Sequence, residues 1–85
     1  MRKEMVIQID GGLEARPIAV LVQVASQFES SIYLEAGEKR VNAKSIMGMM
    51  TMALNAGETI VVEANGSDEL AAIEGIENYI SGKDV

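Results

Sequence analysis

The stretch that decides the fold is Thr59–Ile80, TIVVEANGSDELAAIEGIENYI, in which a strand, a turn and a helix follow one another. Thr59–Ala64 is rich in β-branched residues and is the strongest strand pattern in the chain. Asn65–Gly66 is a typical turn pair, and Ser67 or Asp68 is predicted to cap the helix that follows. The apolar residues of that helix recur at helical spacing and predict its buried face: Leu70, Ile73, Ile76 and Ile80.

The N-terminal part of the chain predicts another strand and helix. Met5–Ile9 alternates between apolar and polar residues as a strand does, and Asp10–Gly12 ends it. Pro17 suits the first turn of a helix, where its missing N–H is no loss. The helix continues to a stop at Ser30 and Ser31, with one apolar stripe: Ile18, Leu21, Val22, Ala25 and Phe28.

The middle of the chain predicts a hairpin and a short helix. Strands at Ile32–Ala36 and Lys39–Ala43 flank a tight turn at Gly37–Glu38. Ser45 is a favourable N-cap for a methionine-rich helix over Ile46–Ala53.

The element order β-α-β-β-α-β-α predicts an α+β domain with four strands in one sheet and helices over one face. One sheet face should be polar and the other apolar, because the strands alternate. The following side chains are expected to be largely buried: Ile7, Ile18, Leu21, Val22, Phe28, Leu34, Met49, Ile60, Val62, Ile73, Ile76 and Ile80.

Composition excludes several classes of function. The 85 residues suit one domain and are 48% apolar, with 7 basic and 13 acidic side chains for a net charge of −6. Residues 1–44 are neutral overall, and residues 45–85 carry the whole excess of acid. We therefore expect neither direct nucleic-acid binding nor attachment to an anionic membrane.

The chain contains no histidine and no cysteine, which removes the commonest metal ligands and acid–base group. We expect no metal, no cofactor and no catalysis, since no acid–base pair is visible. No apolar run approaches the ~20 residues that span a bilayer. The opening residues MRKEMV lack the apolar centre of a signal peptide, so a cytoplasmic location is expected.

Gly12–Pro17, GLEARP, runs from a glycine turn into a helix start. Free N–H groups at a helix start attract anions, and the guanidinium of Arg16 suits phosphate. An ordinary glycine turn before a capped helix explains the same residues, and the pattern alone favours that interpretation.

Three segments together carry a resemblance to a known family: Gly12–Pro17, Val41–Gly48 (VNAKSIMG) and Ala64–Glu69 (ANGSDE). The whole chain, in register, is similar to the HPr family, the small phosphocarriers of the bacterial sugar phosphotransferase system. The resemblance implies a single domain over residues 1–85. It also implies an open-faced β-sandwich with an antiparallel sheet in the order 1-4-2-3 and three helices on one face.

One departure from the family decides the expected function. The phosphoryl-accepting histidine of the family falls at Glu14, so a histidine phosphorelay is impossible here. The chain therefore resembles the histidine-less, catabolite-repression branch, which typically has glutamine at that position. The resemblance implies a regulatory protein whose Ser45 is phosphorylated by HPr kinase/phosphorylase. The phosphorylated form would act as corepressor of a LacI-type catabolite-control regulator.

The resemblance also implies a partner-binding surface. Arg16 matches an arginine that contacts phosphate or partners, and Lys44 is a further candidate, either pairing with a phosphoserine or simply solvated. Helical spacing turns Met49 and Met52 inward with Ala53. Val24 is expected to fall off the buried stripe of the first helix. The expected docking residues are Ala15, Ala19, Val20, Gln23, Ile46, Met47 and Met50.

Several alternatives stay open at this point. Glu14 is either a tolerated polar residue, a stabiliser of the helix start paired with Arg16, or an imitation of phosphohistidine. Gly48 reflects either a close backbone approach or plain tolerance. The competing functions are a working phosphocarrier and an unrelated small α/β binding domain.

Overall fold

The computed structural model describes residues 1–9, 11, 14–52 and 54–82. Predictions that concern Asp10, Gly12 and Ala53 therefore lie outside the described residues. The elements, in chain order, are β1 (Arg2–Val6), α1 (Ala15–Ser26), β2 (Ser31–Ala36), β3 (Lys39–Asn42), α2 (Ile46–Met49), β4 (Thr59–Asn65) and α3 (Glu69–Ile80).

The four strands form one antiparallel sheet in the order β1-β4-β2-β3, as the family resemblance implied. β4 is one of the two inner strands, with Met5 opposite Ile60 on one side and Leu34 opposite Val62 on the other. These four side chains are buried beneath the helices, so the same alternation that predicts the strands also sets the pairing register.

The strand at the N-terminus begins earlier than predicted and ends earlier too. Arg2 pairs with Glu63, so the charged start of the chain belongs to the sheet. Beyond Val6 the chain leaves the regular ladder: the N–H of Gln8 donates to the carbonyl of Ile80, at the end of α3. Hydrophobic alternation misplaces this strand because its first residues are charged on both faces: Arg2 bonds to Glu63 across the open face, and Lys3 bonds to Glu77 of α3.

α2 is shorter than the predicted Ile46–Ala53. The N–H groups of Thr51 and Met52 bond to carbonyls three residues back, which ends the helix in a tighter turn. The Thr51 hydroxyl also donates to the carbonyl of Gly48 at 2.6 Å. The last turn of α2 is thus closed by a side chain.

The core confirms all but one of the predicted buried residues. Phe28 is only partly buried and packs against the edge of the core. The predicted inner face of α3 is wrong at Leu70, which is 58% exposed, because Ala72 takes the inward position in the first turn. None of the helices in the described part of the chain has the length and apolarity needed to cross a bilayer.

Candidate functional site

Ser45 is the N-cap residue of α2, as predicted. Its backbone is extended, with φ −104° and ψ 111°, and its Oγ accepts the N–H of Gly48 at 3.1 Å. The carbonyl of Ser45 accepts the N–H of Met49 at 2.9 Å, which is the first helical bond. The side chain is partly exposed, so its oxygen both holds the helix start and remains at the protein surface.

Gly48 leaves room beside the capping side chain of Ser45. A Cβ at position 48 would lie 3.3 Å from the Ser45 Oγ and 3.6 Å from the Cβ of Val41. The first distance is tighter than ordinary van der Waals contact. The atoms nearest to this position belong to side chains, so the structure does not support a close backbone approach at Gly48.

The methionines of α2 and the turn after it divide as predicted. Met49 and Met52 are buried in the core. Ile46, Met47 and Met50 are 47%, 82% and 57% exposed, and we call these three residues the α2 patch. A short helix with one buried turn therefore presents three large apolar side chains directly beside Ser45.

Lys44 is not simply solvated, and its pairing with a phosphoserine stays a prediction. Its Nζ donates to the carbonyl of Phe28 at 2.6 Å, just beyond the end of α1. Its backbone N–H donates to Oδ1 of Asn42 at 2.8 Å. Both bonds fix the segment that leads into Ser45, so the lysine has a structural role whatever else it binds.

Glu14 and Arg16 lie at the start of α1, as predicted. Glu14 is the N-cap residue with an extended backbone, and its carbonyl accepts the N–H of Ile18 at 2.8 Å. Its carboxylate makes no capping hydrogen bond, and both side chains are exposed. No ion pair found within the described residues joins Glu14 to Arg16. The interpretation of Glu14 as a local partner of Arg16 is therefore not supported.

The residues on the outer side of α1 are less uniformly exposed than predicted. Ala15, Val20 and Gln23 are exposed and Ala19 is half-buried. Val24, predicted to lie off the buried stripe, packs against the core instead, because Gly75 on α3 lets that helix approach α1 closely. α1 also packs against α2, so the two helices that carry the expected docking residues adjoin.

The sequence reasoning missed a charge network across the open face of the sheet. Arg2 donates to Glu63 at 2.6 Å and to Glu35 at 2.9 Å, and Arg40 bonds to the same two carboxylates. Hydrogen bonds from Arg40 first, and then from Arg2, lower the pKa of Glu63 to about 2. Those from Arg2 and Arg40 also lower the pKa of Glu35. One residue from each strand takes part; the predicted strands contain Glu35, Arg40 and Glu63, but Arg2 lies before the predicted first strand.

The sequence pattern places Asp68 correctly at the start of α3, but it does not predict the hydrogen bonds of the Asp68 carboxylate. Asp68 occupies the N-cap position of α3, but its carboxylate does not cap that helix. It accepts instead the hydroxyl of Ser30 and the N–H groups of Ser30 and Glu29. The Ser30 hydroxyl is the main cause that lowers the pKa of Asp68. This link ties the turn after α1 to the start of α3.

Nothing in the described part of the chain forms a metal-binding cluster of three or more acidic, histidine or cysteine side chains. Ser45 instead has a partly exposed hydroxyl beside the exposed α2 patch, and Arg16 is exposed at the start of α1.

Comparison with known proteins shows to which family the chain is similar. The family model described as "PTS HPr component phosphorylation site" matches residues 1–82. The HPr-like protein Crh of Halalkalibacterium halodurans is 42% identical over 80 residues, covering 94% of this chain and 95% of that protein.

Two crystal structures agree with this match. Phosphocarrier protein HPr of Bacillus anthracis superposes with a TM-score of 0.91 at 40% identity, over 94% of this chain and 95% of that one. Crh, the catabolite repression protein of Bacillus subtilis, superposes with a TM-score of 0.80 at 40% identity, over 93% and 91% of the two chains. With the strand order, the Ser45 segment and these matches in agreement, the chain belongs to the HPr family.

Proposed function

We propose that this protein is a non-enzymatic regulatory phosphoprotein of carbon catabolite repression. HPr kinase/phosphorylase would transfer the γ-phosphoryl group of ATP to the Oγ of Ser45. The Oγ–phosphorus bond forms, the bond to the β-phosphate oxygen breaks, and ADP and the hydroxyl proton leave. The phosphorylated protein then binds a LacI-type catabolite-control regulator as its corepressor. Such a protein would act in the cytoplasm.

The observation that carries this proposal is the position of the Ser45 hydroxyl, at the start of α2 and beside the exposed α2 patch. A phosphoryl group adds about −1.5 to −2 charges. Added at the start of a helix, where N–H groups point outward, it is tolerated without unfolding. The modification therefore labels a surface, and basic side chains of a partner can recognise the label.

The α2 patch supplies the apolar part of the contact. Flexible, polarizable methionines suit a surface that must meet both a kinase and a regulator. Ala15, Val20 and Gln23 are exposed on α1, which packs against α2, and would extend this contact. Arg16 is exposed, so it is free to contact a phosphate or an acidic group of the partner.

Overall similarity does not decide between phosphocarrier and regulatory function, since the HPr and Crh crystal structures are both 40% identical to this chain. The residue at position 14 favours one of them. A phosphocarrier needs the nucleophilic nitrogen of an imidazole, and this chain has no histidine. Glu14 is exposed at the start of α1 but cannot provide that nitrogen. The regulatory function is therefore favoured over phosphocarrier function. Membership of the HPr family excludes the alternative that the protein is an unrelated small α/β binding domain.

The test is incubation with HPr kinase/phosphorylase and ATP, followed by intact-mass analysis and site mapping. We expect one phosphoryl group on Ser45 and none on the Ser45→Ala variant. Ser31→Ala is the matched control, since it removes another exposed serine and should be modified like the parent. Incubation with enzyme I and phosphoenolpyruvate should leave the protein unmodified. Phosphate on Thr51 or Ser31 instead of Ser45, or transfer from enzyme I, would contradict the proposal.

A further inference from the structure

We propose that Met47 and Met50 form an oxidation-sensitive site, at which hydroperoxides convert the two thioethers to sulfoxides and thereby weaken partner docking. This inference rests on the proposed function for its consequence, but not for its chemistry. Among the residues that the structure describes, Met47 is the most exposed large apolar side chain, at 82%, and Met50, at the C-cap of the same short helix, is 57% exposed.

The chemistry needs only the thioether and a hydroperoxide. A lone pair of the methionine sulfur attacks the terminal peroxide oxygen, the O–O bond breaks, and a sulfur–oxygen bond forms while water or an alcohol leaves. Sulfur loses two electrons and the peroxide gains them. The chain contains no cysteine, so no thiol of this protein competes for the oxidant.

The fold makes this oxidation selective. Met5, Met49 and Met52 are buried in the core, and an oxidant reaches their sulfur atoms only when the protein opens. Met49 lies between Met47 and Met50 in sequence yet faces the opposite way. Damage is therefore confined to side chains that do not hold the fold together, so oxidation changes the surface and leaves the structure intact.

The consequence falls on docking because both sulfur atoms belong to the α2 patch. A sulfoxide replaces an apolar group by a strongly polar one. Burying that group against a partner without a hydrogen bond weakens the complex by roughly fivefold to a hundredfold. Methionine sulfoxide reductases reverse the change, so the site would act as a reversible switch beside Ser45.

The first experiment measures selectivity and needs no partner. The protein is treated with hydrogen peroxide and the oxidised positions are identified by fragment-ion mass spectrometry, since no lysine or arginine separates the methionines from Met47 to Met52. We expect Met47 and Met50 to react well before Met49, with the thermal midpoint unchanged. Oxidation of Met49 at the same rate as Met47 would overturn the inference.

The second experiment measures docking as the KM of HPr kinase/phosphorylase for the chain, before and after peroxide. In the parent, KM should rise by roughly fivefold to a hundredfold and return to its starting value after treatment with methionine sulfoxide reductases. In Met47→Leu/Met50→Leu, peroxide should leave KM at its starting value while Met1, 45% exposed and remote in sequence from α2, is still oxidised.

These experiments distinguish a failure of the proposed function from a failure of the inference about Met47 and Met50. If the untreated parent is not phosphorylated at all, the proposed function fails. If the parent is phosphorylated, and its oxidised form has the same KM, the inference about Met47 and Met50 is overturned while the proposed function stands. A rise in KM for Met47→Leu/Met50→Leu as large as that of the parent also overturns it, because the effect would then arise elsewhere.

Discussion

Replacing Ser45 by Ala removes a single hydrogen-bond acceptor from the start of α2. The Oγ that accepts the Gly48 N–H at 3.1 Å is lost, while the Cβ that fits against Gly48 remains. α2 spans only four residues and is held by this bond together with the burial of Met49. Loss of a serine N-cap costs about 1 kcal/mol. In a domain of this size, that loss lowers the thermal midpoint by roughly 4–8 °C.

The assay is thermal and urea unfolding of the parent, Ser45→Ala, Ser45→Asp and Ser31→Ala. Ser45→Asp keeps an acceptor of comparable capping strength and should unfold close to the parent. Ser31→Ala loses only a 3.4 Å bond to the carbonyl of Asn65 and should also stay close. If Ser45→Ala unfolds at the parent's midpoint, the capping bond does not stabilise α2 and the reasoning about this helix start is refuted.

Three further predictions follow from the same structure. Gly66→Ala should destabilise the protein by several kcal/mol in urea unfolding, since φ is +156° and the new Cβ would lie 2.7 Å from the Cα of Ser30; a loss below about 1 kcal/mol would contradict this. The pKa of Glu63 falls from 4.5 to about 2 on folding, so the stability it contributes is complete above pH 4.5 and is lost as the pH falls toward 2. Glu63→Gln should therefore flatten the pH dependence of the urea midpoint in that window, and an unchanged pH profile would count against the charge network. Glu14→His should restore the family motif GLHARP and gain phosphoryl transfer from enzyme I, and a folded variant that accepts no phosphate would show that more than residue 14 has diverged.

Hydrophobic periodicity predicts the parts of this fold that depend on burial. Ile60 and Val62 on the central strand, and Ile73 and Ile76 on α3, occupy the core because only one face of each element is covered. The same reasoning divides the α2 methionines correctly, although Met47 and Met49 are chemically identical. The element order follows from these patterns, whereas the strand order came from the family resemblance.

Periodicity fails where a residue's surroundings come from a distant segment. Leu70 has the hydrophobicity of a core residue, but at the first turn of α3 the smaller Ala72 faces inward instead. Asp68 has the chemistry of a helix cap, but Ser30 and Glu29, far away in sequence, offer it three donors. Such competition between local and long-range partners is decided by tertiary structure.

The candidate site was also predictable only in part from the sequence. The capping role of Ser45 depends on the local sequence, so the pattern alone finds it. The bond from Lys44 to the Phe28 carbonyl depends on how the end of α1 meets the segment before α2, and no spacing rule reveals it. The roles of Ser45, Arg16 and the α2 patch in binding partners stay predictions.

Operator binding by a LacI-type catabolite-control regulator tests the central claim most directly. Its affinity for operator DNA would be measured by fluorescence anisotropy with the unmodified protein, with the Ser45-phosphorylated protein, and with kinase-treated Ser45→Ala. The account predicts that only the phosphorylated protein raises the affinity. Equal affinity with the phosphorylated and unmodified proteins would contradict the proposal that phospho-Ser45 makes this protein a corepressor.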